Sequence, residues 1–280
     1  MEGNYVLKVV ALLSAVISAA VCGLAGGFAG WAWLWILPVG FVGAGLVIVL
    51  ILFLMAWIPS LFADNTKQYD DDSPYFRWII KYYAPAVFTL MRVKIQVTGM
   101  EKVPEKGRFM LVCNHVDNLD SGIMLAVFNR HQLAFVAKKE TADMFLIGKL
   151  MPRVLCQFLD RENDRNALKT ILRCIQILKE DKASIMAFPE GGIIEDGAVL
   201  HHYRNGVFKI AQKGGVPIVV CTIRGTAELL NNFLHFRRSF VDLRILDVVP
   251  AEDLKGVTTA DIGNRVFALM AEDLGYREET

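Results

Sequence analysis

Apolar and polar positions divide this chain into two unlike parts. From Val9 to Ala63 there is no Asp, Glu, Lys or Arg, whereas after Asp64 short apolar runs alternate with amphipathic segments. The uncharged run is about twice the ~20 residues that cross a bilayer, which predicts two passes, Val6 to Leu24 and Leu37 to Leu61. Between them lie Gly26-Gly27-Phe28-Ala29-Gly30 and the tryptophans Trp31, Trp33 and Trp35. Tryptophan favours the membrane–water interface, so this segment reads as the outer turn of a hairpin. Two other readings stay open. A cleaved signal peptide would suit Ser18-Ala19-Ala20, although the second apolar run opposes it. A hairpin dipping into one leaflet would suit the glycines and Pro38. Lys8 lies at the start of the first pass, and Lys67, Arg77, Lys81, Arg92 and Lys94 follow the second, which orients both ends to the cytoplasm.

After the uncharged run, Tyr69-Asp70-Asp71-Asp72-Ser73-Pro74 marks a helix start, with Ser73 as N-cap and Pro74 at the first helical position. Tyr75 to Tyr83 is aromatic and basic. It fits a helix lying in the membrane interface and equally one packed on a soluble domain.

From Val93 the periods predict strands at Val93 to Thr98, Phe109 to Cys113, Gln132 to Ala137, Ser184 to Phe188, Val216 to Thr222 and Val241 to Val248. Helices are expected near Leu119 to Asn129, Ala142 to Leu150, Arg165 to Asp181, Gly206 to Lys213 and Thr259 to Leu274, with loops at Ala198 to Arg204 and Thr226 to Ser239. Strands separated by helices imply an α/β fold with a largely parallel sheet flanked by helices. The expected organisation is a membrane-embedded helical hairpin over 1–63, an interfacial or connecting helix over 64–92 and an α/β domain over 93–280.

Composition changes this picture little. The chain of 280 residues has a net charge of +1, which gives no global basic excess for nucleic acid. Its five cysteines, Cys22, Cys113, Cys156, Cys174 and Cys221, sit singly in apolar segments and show no metal-ligand spacing, as expected of buried thiols in a reducing compartment.

Candidate chemistry begins at Asn114-His115-Val116-Asp117-Asn118-Leu119-Asp120, between an apolar strand and a helix. Such turns lie at the carboxyl edge of a sheet, where open α/β folds keep their ligands. A histidine base needs a carboxylate on its other ring nitrogen, and Asp120 is the candidate. Five residues of regular helix would leave the two side chains ~140° apart. They meet only if His115 precedes the helix and Asp120 lies in its first turn. The competing reading makes Asp117 an N-cap, Asp120 a carboxylate answering orphan amides, and His115 an ordinary loop residue.

Two further strand ends carry polar groups, Gln157-Phe158-Leu159-Asp160-Arg161-Glu162 and Ile185-Met186-Ala187-Phe188-Pro189-Glu190-Gly191-Gly192. Taken singly, the first reads as a solvated or paired arginine and the second as a turn. In order, however, Asn114-His115 with Asp120, Phe158-Leu159-Asp160-Arg161, Phe188-Pro189-Glu190-Gly191 and Val216-Pro217-Ile218-Val219 resemble the four blocks of the glycerolipid acyltransferases, above all the bacterial 1-acyl-sn-glycerol-3-phosphate acyltransferases. The similarity runs from about Val97 to Val249. It includes Ala137-Lys138-Lys139-Glu140 and Tyr203-Arg204-Asn205-Gly206-Val207-Phe208.

That resemblance implies direct acyl transfer from acyl-CoA or acyl carrier protein to a lysophospholipid, in phospholipid biosynthesis at the cell membrane, with the catalytic domain on the cytoplasmic side. It implies His115 as general base and Asp120 as its orienting partner. Arg161 would hold the acceptor phosphate, while Glu190, Gly191 and Asn114 would line the substrate side and Pro217 the donor side. No cofactor or metal is implied. Two departures touch the acceptor. Gly192-Ile193-Ile194 stands where the family continues with Thr-Arg-Ser, and Leu155 stands where a glycine is frequent. Lys138, Arg204, His201 and His202 are the residues that would compensate for the missing arginine. Glycerol 3-phosphate or another lysophospholipid as acceptor, and an inactive lipid-binding adaptor, are the alternatives.

Overall fold

A computed structural model describes residues 3–193 and 200–276. Two long apolar helices, α1 (Gly3–Leu24) and α2 (Trp33–Leu61), form an antiparallel hairpin through the tryptophan-rich turn. Both are long and apolar enough to cross a membrane. Most of their large side chains, including Leu12, Val16, Leu50 and Ile51, face outward. Gly40 lies against Ser18, whose hydroxyl donates to the Leu37 carbonyl at 2.6 Å, so small and polar side chains meet inside the hairpin.

Helix α3 (Pro74–Leu90) joins the hairpin to the rest of the chain. Ser73 is its N-cap by position, but its side chain makes no capping bond; its backbone N–H donates instead to the Arg153 carbonyl. Phe76, Ile79 and Phe88 are buried toward the sheet, and Arg77 donates to the carbonyls of Leu133 and Val154. On the hairpin side, the Tyr75 and Tyr83 hydroxyls donate to the Met55 and Leu52 carbonyls of α2. The aromatic segment therefore packs on both parts at once.

The remaining elements are β1 (Val93–Thr98), β2 (Met110–Cys113), α4 (Asp120–Val127), β3 (Leu133–Lys138), α5 (Ile147–Leu150), β4 (Gln157–Leu159), α6 (Asp164–Lys179), β5 (Ser184–Ala187), α7 (Lys209–Gly214), β6 (Ile218–Arg224), α8 (Leu229–Leu234), β7 (Ser239–Val249) and α9 (Thr259–Leu274). The strands form one sheet in the order β1-β7-β6-β2-β5-β3-β4. Strands β2 to β6 run parallel, while β7 is antiparallel to β6 and parallel to β1. The fold is thus the expected α/β arrangement with a largely parallel sheet.

Alternation along β2 separates two cores. Leu111 and Cys113 face α3 and α4, whereas Met110 and Val112 face α6, α7 and α9. All four are fully buried, as strands covered on both faces must be. Two expected elements differ. The segment 142–150 holds only the single turn α5 between 3-10 turns, because Met144 is extended and Leu146 has φ 61°, which breaks a helix before Ile147. The stretch Thr226 to Ser239, expected as loop, contains α8, whose Leu229 is buried while Leu230 and Leu234 are exposed. With so few buried positions, its period is too short to stand out.

Parallel pairing brings the carboxyl ends of β2 to β6 to one edge. The turns after β2, β4 and β5 all emerge there.

Candidate active site

The turn after β2 is closed by one carboxylate. Asp120 Oδ2 accepts from the backbone N–H groups of Val116 and Asp117 at 2.7 and 2.8 Å, and lies 2.9 Å from His115 Nδ1. Asp117 in turn accepts from the Leu119 N–H. Capping and histidine orientation, alternatives in the sequence, are therefore combined in one side chain. Asp120 is fully buried at the start of α4, so its carboxylate cannot swing away. An ionised Asp120 places the imidazole proton on Nδ1 and leaves the lone pair on Nε2. Phe188 stacks on the His115 ring at 3.9 Å, with an interplanar angle of 11°, and fixes its plane from the other side.

Beside it stands the turn after β5. Glu190 Oε1 accepts from the His115 backbone N–H at 3.2 Å, and Oε2 is buried without a hydrogen-bond partner. Burial pushes the Glu190 carboxyl up to about 8, against the His115 N–H, which favours the ionised form; the nearby Asp120 charge adds to the rise. Burial also raises the Tyr203 phenol, and the Glu190 charge reinforces that shift.

Gly191 follows with φ +85°, a conformation that suits glycine. A Cβ there would stand 2.9 Å from Arg204 Cδ and 3.5 Å from Arg161 Cζ, so the missing side chain leaves room for both arginines. Gly192 lies against Arg161 Nη1 in the same way. The Arg204 backbone N–H donates to the Pro189 carbonyl at 2.8 Å, which ties the later segment to this turn. Among the described residues neither guanidinium has a salt-bridge partner within 4 Å, and Arg161 Nε is buried without a hydrogen bond. Burial and the nearby Arg204 charge lower the Arg161 pKa, with Glu140 opposing them. An oriented imidazole and two converging cations thus lie on either side of Glu190-Gly191, whose Cα atoms are only ~3.8 Å apart.

Three comparisons with known proteins agree with this geometry. The acyltransferase family model matches residues 94–224, an interval that holds all of these groups. A protein of Mycoplasma pneumoniae, described as a probable 1-acyl-sn-glycerol-3-phosphate acyltransferase, is 32% identical over 204 residues, spanning 70% of this chain and 75% of that protein. The chain belongs to the 1-acyl-sn-glycerol-3-phosphate acyltransferase family. The Saccharomyces cerevisiae 1-acyl-sn-glycerol-3-phosphate acyltransferase is 25% identical over 192 residues, 67% of this chain and 63% of the yeast enzyme. In fold, the chain is similar to the crystal structure of the 1-acyl-sn-glycerophosphate acyltransferase PlsC of Thermotoga maritima, with a TM-score of 0.57, 21% identity and coverage of 98% and 99%.

Other expected site residues of this acyltransferase fall elsewhere. Asn114 is fully buried, and its amide exchanges hydrogen bonds with the Ile223 backbone of β6 at 2.8 and 3.1 Å, so it braces the turn from below. Pro217 does not reach the reacting edge. It precedes β6 beside Met110, whose N–H donates to its carbonyl, at the opposite end of a strand pair four residues long, or roughly 13 Å away. Of the four residues expected to compensate for the missing arginine, Lys138 is an exposed partner of Glu140 and His202 stacks on Phe267 of α9. Arg204 lies against Gly191. Ile194 lies outside the described residues. Leu155, at the position where the family favours glycine, keeps a left-handed backbone with φ 64°. Cys113 beside the site is fully buried, and burial raises its thiol well above the usual range, which removes it as a nucleophile. Phe188 as a stacking partner had no signal in the sequence beyond its place at a strand end.

Proposed function

We propose that this acyltransferase transfers a fatty acyl group from a thioester donor, acyl-CoA or acyl carrier protein, to the free hydroxyl of 1-acyl-glycerol-3-phosphate. The observation that carries this reading is the His115–Asp120 pair beside two arginines that converge over Gly191. His115 Nε2 takes the proton from the acceptor hydroxyl as its oxygen bonds to the thioester carbonyl carbon. The tetrahedral intermediate then collapses, the C–S bond breaks, and the imidazolium returns the proton to the departing thiolate. Asp120 holds the ring and stabilises the imidazolium. A hydroxyl of high pKa attacks a thioester poorly alone, so removal of its proton by an imidazole during attack supplies much of the acceleration.

Arg161 and Arg204 receive the acceptor phosphate, for which forked guanidinium donors suit better than single ammonium groups. Arg204 takes over the charge that the third block lacks, which favours lysophosphatidate over a neutral-headed lysolipid. Glu190, protonated near neutrality, positions the acceptor between base and cations, with Gly191 leaving space, while Asn114 supports the turn. Residues 1–63 form the membrane hairpin, 64–92 the connecting helix and 93–280 the catalytic part. The lysine and arginine bias supports a catalytic face on the cytoplasmic side of the cell membrane.

The test is transfer of a labelled acyl group by the purified full chain in nanodiscs, from each donor type, to 1-acyl-glycerol-3-phosphate, glycerol 3-phosphate and a zwitterionic lysolipid. Turnover is expected with 1-acyl-glycerol-3-phosphate and abolished by His115→Ala. Product from another acceptor alone would overturn the acceptor assignment, and undiminished turnover in His115→Ala would overturn the mechanism.

A further inference from the structure

The most exposed aromatic side chain outside the hairpin and its neighbouring turns stands on the flank of the catalytic edge. Strand β6 ends at Arg224, one residue after Ile223, whose backbone is held by the neighbour of His115. The chain then turns at Gly225, where φ is +84° and a Cβ would run into the Phe240 carbonyl, so α8 and the start of β7 are pressed together beside the catalytic turn.

On this shoulder Leu234 and Phe240 are each 66% exposed and Phe236 is 82% exposed. Phe236 has φ 56°, which a bulky residue rarely adopts. Its carbonyl accepts from Arg92 Nη1, and the next N–H donates to the Asn232 carbonyl, so the ring is held outward by a built turn. Arg92, Lys94, Arg237 and Arg238 are exposed around it, with Lys94 paired in register with Phe240. Between Thr226 and Phe240 the sequence has a single acid, Glu228.

Aromatic rings ringed by cations match a surface that is apolar within and anionic at its border, as an anionic bilayer leaflet is. Continuity points the same way. Helix α3 hydrogen-bonds to α2 through Tyr75 and Tyr83, and its last turn leads through Leu90 into Arg92. On the other flank of the same edge, Phe145 is exposed close to the end of α2, where Asn65 donates to the Ala142 carbonyl.

We propose that the α8–β7 shoulder docks on the anionic leaflet, with Phe236 and Phe240 among the acyl chains and Arg237 and Arg238 at the headgroups, so that the His115 edge faces the lipid between two points of attachment. The inference rests on reading α1 and α2 as membrane helices.

All five cysteines are free and buried, which allows an environment-sensitive fluorophore to be placed on the folded full chain at Phe236→Cys. The same label goes at Val16→Cys in α1 and at Val257→Cys, which lies before α9 at the opposite edge of the sheet. The protein is reconstituted in phosphatidylcholine–phosphatidylglycerol vesicles containing doxyl-labelled lipid. Quenching of several-fold is expected at 16 and 236 and none at 257. A quenched 16 with an unquenched 236 overturns the docking while leaving the hairpin intact; no quenching at either overturns both. An emission shift at 236 that follows protein density without lipid quenching would make the partner a second copy and overturn the proposal. Arg237→Glu with Arg238→Glu should reduce quenching at 236 at least twofold in anionic vesicles while leaving 16 unchanged; no reduction would remove the anionic-headgroup part of the proposal.

Discussion

The turn after β2 and the turn after β5 stand side by side at one sheet edge, yet the first closes on itself and the second is closed by the rest of the chain. Within six residues, Asp120 answers the amides of Val116 and Asp117 and meets the His115 ring. By contrast, Glu190 takes its hydrogen bond from a residue 75 positions away, and Gly191 is flanked by Arg161 and Arg204. Under the proposed function, reaction chemistry is built on a local motif, whereas recognition depends on segments brought together by the sheet. Local closure fixes the His115 ring through contacts within six residues, whereas the placement of Arg161 and Arg204 around Gly191 depends on distant segments.

The strongest way to break this contrast is to disable the local motif. Asp120→Asn keeps the shape but offers an amide to His115 and disfavours the productive tautomer, so kcat should fall by about 10³- to 10⁴-fold. Steady-state kinetics would show it, and an unchanged KM for the acceptor would confine the effect to the base. Next come the cations. Arg161→Ala and Arg204→Ala should each raise the acceptor KM by about 10- to 100-fold, since a charge-assisted hydrogen bond contributes roughly 1.5–3 kcal/mol. Lysine at either position should restore only part of this, and a kcat effect larger than the KM effect would move that arginine from recognition to catalysis.

Glu190→Gln probes the burial of the second turn. Folded Glu190 titrates at about 8, above the ordinary value of 4.5, so the folded state holds a proton that the unfolded chain releases. The stability it contributes is complete below the unfolded pKa and is lost as pH rises through about 8. Thermal unfolding in detergent should therefore show the wild-type protein losing roughly 1–3 kcal/mol more than Glu190→Gln between pH 5 and pH 9. Equal slopes would mean that the carboxyl is solvated. The smallest effect is expected from Gly191→Ala. Positive φ costs it about 1 kcal/mol, and the new Cβ presses on Arg204, so acceptor KM should rise a few-fold with a modest loss of Tm.

Legibility followed the same division. Short apolar runs and alternation marked six of the seven strands, all but the three-residue β4, and Thr259–Leu274 forms the helix expected there, because its buried stripe repeats over four turns. The His115–Asp120 pairing could be posed from spacing alone, since only a turn-to-helix geometry lets those side chains meet. Other features gave little signal. Helix α8 has one buried position, Ser73 makes no side-chain capping bond, and Pro217 lies before β6 at the opposite sheet edge from His115 although its block is easily recognised. Block order along the chain says nothing about which end of a strand a residue occupies.

By itself, then, the sequence determined the uncharged hairpin, the two-faced strands and the self-closing turn around His115, because each depends on composition or on contacts within a few residues. Tertiary structure decided that Glu190 is buried against the His115 backbone, that Arg204 shares Gly191 with Arg161, and that α8 flanks the catalytic edge. Those placements follow from the β6-β2-β5-β3-β4 order of the sheet, which brings together residues such as Asn114 and Ile223, 109 positions apart, and which hydrophobic periodicity does not encode.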